Sequence, residues 1–130
     1  MIDEADPLVK VMVEVYHKAK RYYEFGRKEL EKINEEIEKA NEELHNLKLK
    51  FIVKYGSGYL TVKKVRKYKY IIWRTYEGKD VYINSDDDLK KAQRILELRS
   101  LLAKLYRRRA RLKRLLARTW SFMKMAEGYL

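Results

Sequence analysis

Between Leu89 and Arg118 the chain places twelve Lys and Arg residues against a single acid, Glu97, a local charge of +11. Eight of the twelve are Arg, whose planar guanidinium grips a phosphate through two parallel N–H bonds where Lys offers only a point charge. Lys104, Arg107, Arg111, Arg114 and Arg118 recur at three- and four-residue steps, which on a helix forms one continuous face. Its rise makes that face about 21 Å long, comparable with about six base pairs of duplex DNA. A basic helix face can also simply be solvated. Against that bland reading, like charges at successive i,i+4 steps repel and weaken the helix that carries them.

A second basic set lies earlier. Lys54, Lys63, Lys64, Arg66, Lys67, Lys69 and Arg74 fall between residues 54 and 76 without an acid, interleaved with Tyr55, Tyr59, Tyr68, Tyr70, Trp73 and Tyr76. A two-stranded ribbon can enter a DNA groove, and aromatics on a basic sheet can stack on exposed bases. Tyr and Trp are also good strand formers, and Lys protects sheet edges, so a purely structural reading is equally simple. The nucleic-acid-binding candidates here are Lys63, Arg66, Lys67, Lys69 and Arg74, with the turn Arg66-Lys67 projecting furthest.

Catalytic chemistry finds little footing. His17 and His45 are separated by about 42 Å along one helix and share no site. Asp86, Asp87 and Asp88 follow Ser85 and precede Leu89, a better match to a helix cap than to a magnesium site. There is no Cys, so thiolate metal sites and Cys nucleophiles are excluded, and no phosphate-binding glycine loop or nucleophile elbow is present. The expectation is a binding protein and no enzyme, without cofactor, metal or small-molecule substrate.

These residues need elements to position them. Asp6-Pro7 is an N-cap followed by a proline at the first helical position, and Ser85 with the three acids after it is a second N-cap. From Val9 to Phe51 a stripe runs in alternating steps of three and four: Val9, Met12, Tyr16, Ala19, Tyr23, Gly26, Leu30, Ile33, Ile37, Ala40, Leu44, Leu47, Phe51. Ile95, Leu98, Leu102, Leu105, Arg109, Leu112, Leu116, Thr119, Met123, Ala126 and Leu130 repeat it. A strict heptad held this long predicts a coiled-coil seam. Arg109 is its anomaly: it would snorkel, pair with a Glu of the first helix, or break the coil. Gly56-Ser57-Gly58 reads as a hinge, and Tyr59–Val65, Tyr68–Tyr76 and Val81–Ile83 read as strands.

The predicted fold is mainly α, one domain over residues 1–130. Two long antiparallel coiled-coil helices, about 7–51 and 86–128, flank a three-stranded antiparallel β-meander at about 59–84. Pairing sets residue i of the first helix near 138 − i of the second, so Leu30 lies near Arg108, and the basic stripe lies beside residues 20–34 with Lys20, Arg21, Arg27 and Lys28. Residues 29–43 carry seven Glu and two Lys, a complement to the basic second helix. Where both chain ends meet, Leu8, Val11, Val15, Leu115, Trp120 and Phe122, with Val13, Met125 and Tyr129, give an apolar surface wider than two helices can bury. This predicts a homo-oligomer, with a dimer as first guess.

The order of long helix, β insert and matched helix resembles a prefoldin β-type subunit in architecture. Gly58-Tyr59-Leu60 through Tyr68-Lys69-Tyr70-Ile71-Ile72-Trp73-Arg74-Thr75-Tyr76-Glu77-Gly78-Lys79 to Tyr82-Ile83, with the Leu- and Arg-rich helix after it, is similar to a hairpin-plus-helix module of small archaeal, bacterial and viral proteins, a resemblance that implies no activity. The prefoldin likeness implies a holdase or protein-interaction coil as the rival to nucleic-acid binding. Abundant Lys, Arg, Glu, Ile and Tyr with few Gln suits a thermophile.

Of the 130 residues, 46% are hydrophobic and 38% charged, with a net charge of +12. Such an excess makes a polyanion the first partner to consider. No stretch approaches the roughly 18 apolar residues of a membrane span, and Asp3, Glu4 and Asp6 do not begin a signal peptide. The expected place is the cytoplasm, at a nucleoid, or in a virion if the source is viral.

Overall fold

A computed structural model describes residues 6–129; Asp3, Glu4 and the last stripe position, Leu130, lie outside them. The element order is α1 (Pro7–Tyr55), β1 (Gly58–Val65), β2 (Tyr68–Thr75), β3 (Asp80–Tyr82) and α2 (Asp86–Tyr129). Both predicted caps form. Asp6 Oδ1 accepts from the Leu8 amide at 2.9 Å, and Ser85 Oγ accepts from the Asp88 amide at 3.2 Å. The fold is the expected one of two helices flanking a three-stranded antiparallel sheet.

The described residues group into two compact units. The first comprises the described residues up to Glu36 and those from Leu105 onward; the second is Ile37–Lys104.

In the first unit α1 and α2 run antiparallel. Tyr16 donates to Glu127 Oε1 at 2.9 Å, Tyr23 stands 5.7 Å from Trp120, ring centre to ring centre, and Arg109 donates to Asn34 Oδ1 at 3.3 Å. These pairs set residue i opposite about 143 − i, not 138 − i. Leu30 therefore faces the neighbourhood of residue 113 instead of Arg108. Every described stripe position on both helices is buried or half-buried. Arg109 is half-buried, bonds Asn34 instead of a glutamate and lays its guanidinium 4.9 Å over the Tyr106 ring.

The second unit holds the sheet, ordered β1-β2-β3. Gly56, at φ 93°, ends α1 in the left-handed region that costs glycine nothing, so the expected hinge is a helix stop followed by a strand start. At Gly58 a Cβ would lie 2.3 Å from the Arg74 carbonyl oxygen, which reserves that strand position for glycine. Leu60 pairs with Trp73 and Trp73 with Val81, putting all three on one face. Trp73, fully buried, stacks on Phe51 of α1 at 5.4 Å and donates its indole N–H to the Gly56 carbonyl at 2.9 Å. Arg99 of α2 donates to the Leu60 carbonyl at 2.8 Å, and burial pushes its guanidinium below the usual arginine range.

Two ionic contacts tie α1 to α2 here. Arg94 grips Glu43 bidentately at 2.8 and 2.9 Å. Asp88, nearly buried, accepts from Lys54 and Tyr55 at 2.5 Å each. Those two bonds hold its carboxyl below the usual range. Asp88 is thus the packed end of a helix cap.

Candidate nucleic-acid interface

The arginine row sits where an α-helix must put it. Counting each buried stripe as positions a and d of a heptad, Arg107 and Arg114 fall at f, opposite the stripe, and Arg111 and Arg118 at the neighbouring c. All four are exposed in the first unit, and Lys104, at c in the second unit, is exposed as well. Among the described residues no carboxylate lies in ion-pair range of Arg111, Arg114 or Arg118.

The corrected register changes what lies across from these arginines. At 143 − i, residues 107–118 face 25–36, which hold Arg27, Lys28 and Lys32 but also Glu29, Glu31, Glu35 and Glu36. Of the four expected cations, Arg27 and Lys28 stay opposite the row and Lys20 and Arg21 do not, and the four glutamates offset the three cations that face it.

The sheet divides its five candidates. Lys63, opposite Tyr70, and Arg74, opposite Tyr59 and Asp80, share the face away from Trp73. Both are held by Asp80: Lys63 Nζ at 3.1 Å, Arg74 Nε at 2.9 Å. The two cations keep the Asp80 carboxyl low, at about 2. Asp80 was missed because the acid-free window ends at Tyr76, although a hairpin turning on Glu77 and Gly78 must return residue 80 beside residue 74.

The hairpin end differs. Lys64 and Lys69 stand directly opposite each other, a destabilising like-charge pair, and Arg66 and Lys67 make the turn between their strands. All four are exposed and none is ion-paired among the described residues. Arg66 has φ 56°, a left-handed conformation that β-carbon sterics disfavour by roughly 1–2 kcal/mol. Tyr70 meets Tyr82 edge-on at 5.7 Å, and Tyr68 lies 6.4 Å from Tyr70, an exposed aromatic row beside the same cations.

Leu8, Val11, Val15, Leu115, Trp120 and Phe122 are all exposed at 37% or more. They do not share one face. Trp120 sits at e, against Tyr23 and under the Lys124 ammonium, 4.5 Å from its ring centre. The other five sit at c and g.

No family model, curated protein or solved structure matches this chain. No described helix is long and apolar enough to cross a membrane.

Proposed function

We propose that the protein is an oligomeric nucleic-acid binder that takes duplex DNA mainly through its phosphates, in an architectural, regulatory or genome-packaging role. The observation that carries this reading is the exposed row Arg107, Arg111, Arg114 and Arg118 on one side of α2, continued by Lys104. Guanidinium groups one helical turn apart, three of them without an ion pair among the described residues, suit bidentate contacts to successive phosphates. The hairpin end supports it independently: Lys64 and Lys69 repel in the free protein, and a bound phosphate relieves that repulsion.

The test is duplex binding, measured by fluorescence anisotropy, for the wild type and for a variant with Lys104, Arg107, Arg111, Arg114 and Arg118 all changed to Glu. Circular dichroism serves as the check that the fold persists. The reading expects at least a hundredfold loss in the variant, and comparison with single strands and RNA ranks the substrates. Undiminished binding by a folded variant refutes it. Salt-insensitive capture of unfolded protein by the wild type would favour the holdase rival.

A further inference from the structure

The two long sides of the helix pair in the first unit are unlike. One side, built from a and e positions, is closed by contacts within the chain: Tyr16 to Glu127, Tyr23 to Trp120 and Arg109 to Asn34. The other side, built from c and g positions, is open. A groove there is lined by Glu29, Ile33, Arg108, Arg111, Leu112 and Leu115, which places the g residues of both helices on the same side of the pair.

Along that side α1 carries a second stripe of alternating three- and four-residue steps, interrupted only by Lys18: Leu8, Val11, Val15, Tyr22 and Phe25. On α2, Leu115, Phe122, Met125 and Tyr129 match it, interrupted by Arg118. These side chains are exposed, Tyr22 at 70% and Phe25 at 65%. Summing their exposed shares gives on the order of 900 Å² of surface per copy, well above the roughly 300–600 Å² of an ordinary monomer's largest apolar patch.

We infer that this c and g face is the seat of a second copy of the same chain, forming a closed four-helix bundle about a two-fold axis parallel to the helices. Two observations select that occupant. Twice the exposed area, about 1,800 Å², lies in the range of a stable two-sided interface, about 1,200–2,000 Å². Charge then fixes the arrangement. Past Phe25 the second stripe of α1 turns acidic with Glu29, while α2 at the same level carries Arg108 and Arg111. An axis parallel to the helices seats α1 of each copy against α2 of the other, acid facing base and every neighbouring helix antiparallel.

The inference rests on the self-association in the proposed function, names its surface, and leaves Trp120 outside it. Sedimentation equilibrium at micromolar protein, without nucleic acid, tests it. The wild type should weigh twice the 15.8 kDa chain. Phe25→Glu with Phe122→Glu, and separately Tyr22→Arg, should return it to one chain with helical circular dichroism intact. Val53→Glu, at an 87% exposed valine of the second unit, should stay dimeric. A monomeric wild type overturns the inference and self-association together, and points to a different protein on the face. A wild-type dimer that survives both interface variants overturns the assigned surface alone, as does an assembly larger than two. Arg111 and Arg118, at c, lie on this same side, so in the dimer Arg107 and Arg114, at f, are the arginines of the row that stay outside the contact.

Discussion

Arg66 occupies the one left-handed backbone position among the described non-glycine residues. Asn tolerates that conformation better than Arg, so Arg66→Asn should raise stability by about 0.5–1 kcal/mol in urea unfolding. The same change should weaken duplex binding by removing a cation at the hairpin end. A variant that is stabilised yet binds as tightly as the wild type would remove Arg66 from the interface. Its place at the turn was legible, since Val65 and Tyr68 bracket two residues between strand-forming runs; its φ was not, because nothing in the residue type asks for it. Arg109 is the converse case. Its oddity in the stripe was plain from spacing, but choosing Asn34 over a glutamate depended on a register that local sequence does not set.

The sheet and the helices fail and succeed as elements for different reasons. The buried stripes were readable to the residue because burial on a helix follows a fixed period. The register between α1 and α2 was not, since stripe periodicity alone does not fix it, and neither was the end of α1, because Ile52–Tyr55 continue a helix that the strand-like residues Val53 and Tyr55 disguise. Within the sheet, Asp80 governs two of the five candidate cations. Its folded pKa of about 2 lies below the ordinary value near 3.9. A depressed carboxyl contributes stability above its unfolded pKa and loses it as pH falls through the folded value. Wild-type stability should therefore fall between about pH 4 and pH 2, and Asp80→Asn should flatten much of that decline, with the Asp88 share remaining. An acid-unfolding profile unchanged in Asp80→Asn would deny the Lys63–Asp80–Arg74 bridge a role in stability. At neutral pH the same variant frees Lys63 and Arg74, and duplex affinity should rise severalfold if this face meets phosphate.

For the whole molecule, the net charge of +12 resolves into separate surfaces. Residues 29–43 are acidic, α2 from Leu89 to Arg118 is strongly basic, and the hairpin end adds four cations without ion pairs among the described residues. The proposed pairing through the open side of the first unit would double the charge, draw Arg111 and Arg118, at c, to the edge of the contact, and leave Arg107 and Arg114, at f, pointing away from it. Binding then gains from two basic faces in one particle. Contact between these arginines and phosphates would release counterions, which a salt titration measures directly. Log K for duplex DNA should fall linearly with log salt, with a slope of about −4 or steeper for five contacts, and the fivefold Glu variant should lose most of it. A wild-type slope near zero, or one that the five reversals leave unchanged, contradicts the account.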